Sequence, residues 1–327
     1  MTLQILITHY HEKDEVVQNL LDSIVLQQNV DFSQIGVLIC HDGLDIPDIQ
    51  FKREYPFSVE QIRIQEKNVS AARNALLDRA EADYIMFCDC DDMFFNACGL
   101  YIIFEGIKLG DFDAVTSVFV EETRLPGQTD IIYVNHEKDV TFIHGKVYRL
   151  QYLRDKGIRW NDELWVHEDS YFNGLCQCLS KNIKYCPISF YLWKWRDDSA
   201  VRHDPKFILR TYNNLLDSND ALVWELMRRG VKDKAMSYVT SMVYDAYYTM
   251  NKPEWVNQEN KEYRYATELR FADYFEKYKD LWDGIPMDER MVISNEARGR
   301  SVREGMRMEN ITIDSWLNHI QSLKRSA

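Results

Sequence analysis

The stretch Asp83-Tyr84-Ile85-Met86-Phe87-Cys88-Asp89-Cys90-Asp91-Asp92 constrains this chain more than any other. Tyr84 to Cys88 is short, continuous and apolar, the pattern of a strand buried on both faces. It stops abruptly at three carboxylates. Acids crowded at the end of a buried strand repel one another and lose hydration unless something positive sits among them. A divalent cation with oxygen ligands is the usual remedy, and in open α/β sheets that strand end is where ligands bind. A solvated acidic turn is the alternative reading of this segment by itself.

The flanking sequence supplies the rest of a layered α/β fold. Leu3 to Ile7, Gly36 to Cys40 and Ile62 to Ile64 read as short strands. Val17, Leu20, Leu21, Ile24 and Val25 recur at helical spacing within 14–27, with Asp14 as the expected N-cap. Ala71 to Ala80 is a strong helix former behind Ser70, a candidate cap. This β-α-β-β-α-β order predicts a mainly parallel sheet with helices on its faces. Ala114 to Val120 is a further strand. Thr129 to Val134 and Thr141 to Tyr148 suggest a smaller β region, punctuated by Pro126-Gly127. From Pro205 onward the pattern turns helical: 207–229, 232–250, 261–282, 288–306 and 314–323. The expected division is a catalytic domain at 1–204 and a helical region at 205–327, serving acceptor binding or oligomerisation.

At 46% hydrophobic residues the chain can build a sizeable core. Its formal charge of -13 repels nucleic acid and anionic lipid at long range. No apolar run approaches the roughly 20 residues that span a bilayer. MTLQILITHY has no basic stretch followed by a long apolar one, so no signal peptide is expected. A cytoplasmic location follows, with peripheral membrane attachment left open. The C-x-C pairs Cys88/Cys90 and Cys176/Cys178 lack the usual zinc spacing, and reduced thiols are expected.

Several segments together resemble the family 2 glycosyltransferases of the GT-A fold, over about residues 3–204. QILITHYHEKDEVVQNLLDSIVLQQ is similar to the family's opening strand and helix. VLICHDG resembles V-V-D-D-G. NVSAARNALLDRAEADYIMFCDCDD is very close to the stretch that ends in the D-x-D motif. FIHGKVYR and WNDELWVHEDSYF resemble the later H-G-K and E-D elements. The resemblance implies a metal-dependent, inverting transfer from a UDP-sugar to a hydroxyl acceptor, a glycan or cell-surface polymer precursor. Two other readings stay open: a phage-type transferase acting on a modified DNA base, and an inactive relative that binds glycans or partners.

The same resemblance implies roles. Asp91 would hold Mn2+ or Mg2+, with Asp89 on the metal or the ribose and His203 completing the shell; hard cations favour carboxylate oxygens. Asp92 would support the metal ligands from behind, or be a helix-capping acid. Asp42 would accept the N3–H of uracil, which a carboxylate can do and cannot reverse. The family often has a second Asp where His41 stands. Thr8, Tyr10 and Glu12 would line the base pocket, Tyr10 otherwise being an ordinary core aromatic. Arg73 would reach the nucleotide or pair with the acids. Asn68 stands where the family has Gly and tolerates a left-handed backbone. Asp169 would be the catalytic base and Glu168 would hold the acceptor; both also suit the N-terminus of the helix that follows. His144 would line the acceptor or diphosphate side. Arg196 and Ser199, with Lys194 and Arg202, would bind the diphosphate. Trp193 and Trp195 would share one packed strand face. The helical region would bind acceptor or form a homo-oligomer.

Overall fold

The computed structural model describes residues 1–65, 67–125, 128–196, 211–252, 255, 261–306 and 311–326. Its contacts divide the chain into two compact units, Met1–His203 and Asp204–Ala327.

In the first unit the described strands form one nine-stranded sheet. They are β1 (Leu3–His9), β2 (Ile35–Asp42), β3 (Ser58–Ile64), β4 (Tyr84–Asp89), β5 (Met93–Phe94), β6 (Ala114–Arg124), β7 (Ile131–His136), β8 (Lys146–Arg149) and β9 (Ile183–Trp193). The order is β3-β2-β1-β4-β8-β6-β9-β5, with β7 on β6. β3, β2, β1 and β4 run parallel, as do β6 and β9. β8 lies antiparallel between β4 and β6. Helices α1 (Asp14–Val25), α2 (Val69–Arg79), α3 (Gly99–Lys108), α4 (Leu150–Lys156) and α5 (Glu168–Leu179) complete the unit.

Alternation along β1 explains one layer of the core. Leu3, Ile5 and Ile7 fall on one face and cluster with Val17, Leu20, Leu21 and Ile24 of α1. β2 is buried along its whole length, which is why its sequence is a continuous apolar run. Register then aligns the strand ends: Thr8 pairs with Cys40 on one side and with Asp89 on the other. The polar residues after each apolar run therefore gather at one edge of the sheet.

Three local expectations are corrected. Lys13, not Asp14, is the N-cap of α1; Asp14 is its first helical residue, and its carboxylate accepts from the Gln50 N–H at 3.2 Å. α2 is capped by Asn68, not Ser70. The Asn68 Oδ1 accepts from the N–H groups of Ser70 and Ala71 at 2.8 and 3.2 Å, and its backbone is extended (φ -156°), not left-handed. β7 and β8 join the main sheet and form no separate β region. Residues 141–145 stay outside any strand because the Asp139 carboxylate takes the N–H groups of Thr141 and Phe142. The Pro126-Gly127 turn lies outside the described residues.

The second unit is helical: α6 (Tyr212–Arg228), α7 (Lys232–Thr249), α8 (Lys261–Asp283), α9 (Met287–Arg303) and α10 (Ile313–Ser326). Its interior is aromatic, with Tyr247 and Phe271 both packed on Trp316. No helix among the described residues is long and apolar enough to cross a membrane.

Asn68→Ala should lower the unfolding free energy by about 1 kcal/mol, the usual worth of an N-cap. Asn68→Asp, which keeps the acceptor, should recover most of it. Urea denaturation measures both; an unchanged midpoint in the alanine variant would remove the cap from this account.

Candidate active site

The site is built where β1, β2 and β4 end. An open cleft of about 260 Å³ is lined by Thr8, Tyr10, Glu12, Asp42, Asp89, Asp91 and Arg196, among others. Seven residues singled out from the sequence are thus brought together. Tyr10 is 43% exposed and lies against His11, so it is not an ordinary core aromatic. Asp42 is buried at the end of β2, and its Oδ1 accepts from the Asn68 N–H at 2.7 Å. The cap of α2 and the acid of β2 are therefore joined by one bond.

Arg73 organises the opposite wall. It sits on α2, is only 4% exposed, and lies over the Trp160 ring at 4.4 Å. Its Nη2 donates to Asp89 at 3.1 Å, while Nη1 donates to Glu168 at 3.0 Å and Asp169 at 2.8 Å. Neighbouring Asn74 donates to the carbonyl of Trp160 and accepts from its N–H, both at 3.0 Å. This fixes the segment leading to α5. Glu168 and Asp169 lie inside the first turn of α5, after the left-handed His167 (φ 65°). Their side chains turn to Arg73.

One guanidinium cannot neutralise three acids. Burial raises the Asp169 carboxyl to about 7; Glu168 and Asp89 add to the rise, and Arg73 opposes it. Asp91 is also raised, by burial and by Asp89, although Arg196 donates to it at 2.8 Å. Arg196 donates to Glu12 as well, at 3.2 Å. Burial pushes Glu12 up, but the Tyr10 N–H, Cys90 and Arg196 outweigh that and hold it below its ordinary value.

Asp92 is fully enclosed. It accepts from the Tyr191 hydroxyl at 2.6 Å and the Lys194 N–H at 3.0 Å, and burial raises its carboxyl well above the ordinary value. It caps no helix. His144 packs beside it, stacked on Tyr191, and burial drives the ring down to about 3, so it is neutral. Gly145, with φ 65°, makes the turn that seats it. His144 Nδ1 has no hydrogen-bond partner and lies 3.9 Å from Asp92 Oδ2.

The donor set suits a divalent cation. Asp89, Asp92 and His144 each offer one ligand atom, all within 4.8 Å of one another. Asp91 adds a carboxylate to the cleft. His144 thus lies beside Asp89 and Asp92, and its bearing on the acceptor or diphosphate side stays an expectation. Ser199, Arg202 and His203 lie outside the described residues. The expected shared face for Trp193 and Trp195 does not form. β9 ends at Trp193, which packs on Phe142 and His144, whereas Trp195 lies beyond the strand under the Arg124 guanidinium. All seven cysteines are thiols, none of them in a disulfide.

Sequence reasoning passed over Asn74, Trp160, Tyr191 and His9. Asn74 was within reach, because it directly follows Arg73 in the segment that carries the resemblance. His9 and Trp160 also lie in segments that carry the resemblance, yet residue order assigned none of the other three a role at the site.

The mainly parallel sheet, with an acid-lined cleft at its strand ends, is of the GT-A type. Residues 4–132 match the model of Glycosyl transferase family 2, and this part of the chain is a glycosyltransferase domain of that family. The matched region includes Asp89 to Asp92 and stops before Glu168. No curated protein matches the sequence. Among solved structures, S. aureus TarS 1–349 in complex with UDP is 14% identical, with a TM-score of 0.63, covering 100% of this chain and 92% of that one. TarS 1–349 in complex with UDP-GlcNAc is 15% identical, with a TM-score of 0.62, covering 94% of this chain and 93% of that one. At this identity the likeness is one of fold.

In metal-free protein, Asp169→Asn should stabilise the fold at about pH 8. With a folded value of about 7 against an ordinary 3.8, Asp169 holds a proton in the folded state that the unfolded chain has already lost. Its contribution is full below about pH 4 and lost as pH rises to about 7. The stability gap between variant and parent should widen over that window and level off above it. Urea titrations in EDTA across pH test this; a constant gap would contradict the raised value.

Proposed function

We propose that the protein is a metal-dependent, inverting glycosyltransferase that moves a sugar from a UDP-sugar to a hydroxyl acceptor, a glycan or cell-surface polymer precursor. The observation that carries this reading is the Arg73 bridge: one buried cation joins Asp89, in the donor cleft, to Glu168 and Asp169. Donor and acceptor chemistry would then meet across a single guanidinium.

In this reading Thr8, Tyr10, Glu12 and Asp42 take the base, Asp42 accepting the uracil N3–H. Lys194 and Arg196 face the diphosphate, where a guanidinium is suited to phosphate oxygens. Asp89 holds the ribose or shares in the metal. Mn2+ or Mg2+ would sit on Asp91 and Asp89, beside the Asp92 and His144 atoms that cluster with Asp89, with His203 as a further ligand, and would neutralise charge on the departing diphosphate. Asp169 takes the proton from the acceptor hydroxyl as its oxygen bonds to the anomeric carbon. The bond from that carbon to the phosphate oxygen breaks, and UDP leaves with inversion. A carboxyl near 7 suits that task, being partly ionised at neutral pH. Glu168 would hold the acceptor, and His144 would line the acceptor or diphosphate side from behind Asp89.

The similar TarS structures, with UDP and with UDP-GlcNAc, support a uridine donor. The DNA-base reading gains nothing from the helical unit: Arg228 and Arg229 are both paired with Glu225, and Arg300 with Glu304. We further propose that this unit binds acceptor or a second copy of the chain, and that the protein works in the cytoplasm.

UDP with Mn2+ should raise the melting temperature, and EDTA should abolish the rise; no shift would sink the metal-dependent donor site. Asp169→Asn should keep UDP affinity within about twofold while lowering transfer by about 100-fold or more, the range for loss of a general base. Isothermal titration and a UDP-release assay read the two effects, and full transfer by the variant would place the base elsewhere.

A further inference from the structure

The ends of β1 and β2 hold a buried pair of imidazoles. His9 and His41 are 4% and 0% exposed, and their Nδ1 atoms lie 2.9 Å apart. His9 Nε2 faces the Glu12 carbonyl at 2.8 Å. His41 Nε2 faces Gln61 Oε1 at 3.0 Å. The Gln61 amide has a fixed orientation, because its Oε1 accepts from the Ile49 N–H at 2.9 Å while its Nε2 donates to the Ile49 carbonyl at 3.3 Å.

Proton counting over this chain gives a definite answer. A carbonyl oxygen only accepts, so His9 Nε2 and His41 Nε2 must each carry a hydrogen. The contact between the two Nδ1 atoms needs one more. Three hydrogens are required, whereas two neutral imidazoles supply two. Two neutral rings thus fall one hydrogen short of the contacts.

The charged groups around the pair pull in both directions. Burial pulls His41 down, and His9 and Arg63 of β3 act the same way, while Gln61 and Asp48 favour its charged form. Asp48 Oδ1 lies 3.5 Å from His41 Nε2. Asp42 follows His41 in β2, and the Glu12 carboxylate belongs to the turn whose carbonyl His9 holds. A neutral pair would leave two lone pairs facing each other at 2.9 Å, or one facing a carbonyl. In the low dielectric of this site either costs more than an ordinary lost hydrogen bond.

We propose that His9 and His41 share a single positive charge through an N–H···N bond, and that this proton positions the 10–12 turn for the nucleotide base. Through the Glu12 carbonyl the pair fixes the turn bearing Tyr10 and Glu12, both of which line the donor cleft. His9 and His41 are positioning residues, and the nucleotide half of the inference rests on the donor reading above. UDP affinity should fall as pH rises through the loss of the shared proton, approaching tenfold per pH unit for one linked proton.

The test uses the full chain labelled with 15N-histidine. Long-range proton–nitrogen spectra of the parent, assigned with His41→Asn and His9→Gln, should show three protonated nitrogens across the pair at about pH 7. Two neutral rings with one N–H each would overturn the proposal. UDP titrations over the same pH range supply the second readout. Asn Nδ2 occupies the place of an imidazole Nδ1 and donates, so His41→Asn removes the need for the charge. It should bind UDP with little pH dependence, while the parent loses affinity with rising pH. A charged pair with flat parent affinity would refute the positioning role. Absence of UDP binding at every pH would overturn the donor reading instead, and the nitrogen spectra would still decide the proton count. If one variant fails to fold, the other still provides the assignment.

Discussion

The Arg73 guanidinium is the interaction on which the rest of the site depends. Burying a charged side chain is costly unless its donors are met by acceptors of opposite charge. Arg73 meets three, drawn from two distant parts of the chain: Asp89 from the end of β4, Glu168 and Asp169 from the start of α5. The cation holds the strand end to the helix start. Removing it would leave three acids in a poorly hydrated wall with nothing between them.

The same arrangement explains why the site is poised. A single positive charge shared by three carboxylates does not offset the burial of Asp169, whose carboxyl stays raised to about 7. A site built only for stability would match charges one to one. Asp91 shows the same trait, raised by burial despite Arg196. Strain of this kind is stored at functional sites and offset by packing elsewhere, here by Trp160 stacked on Phe172 and tied down by Asn74.

Much of this was legible from residue order. The continuous apolar runs at β1, β2 and β4 predicted parallel strands, because only a strand covered on both faces can afford them. Helical spacing located the five described helices of the second unit to within a few residues. Local hydrogen bonding was harder. Ser70 and Asn68 are both good caps by type, and the choice fell to Asn68 because its backbone is the extended one at that turn. Residues 141–145 look like strand by composition, yet Asp139 takes the N–H groups of Thr141 and Phe142 at the start of that segment.

By itself the sequence determined the fold class, the acid-lined strand ends and the transferase family, since periodicity and motif order are properties of neighbouring residues. Only the tertiary structure decided which charges share a partner. It gave Asp89 and Asp169, 80 residues apart in sequence, one common cation. It turned Asp92 inward to Tyr191 beside a neutral His144, and set His9 against His41 across adjacent strands. These pairings depend on strand register and on which groups lose water together. Neither is written in the local order of residues.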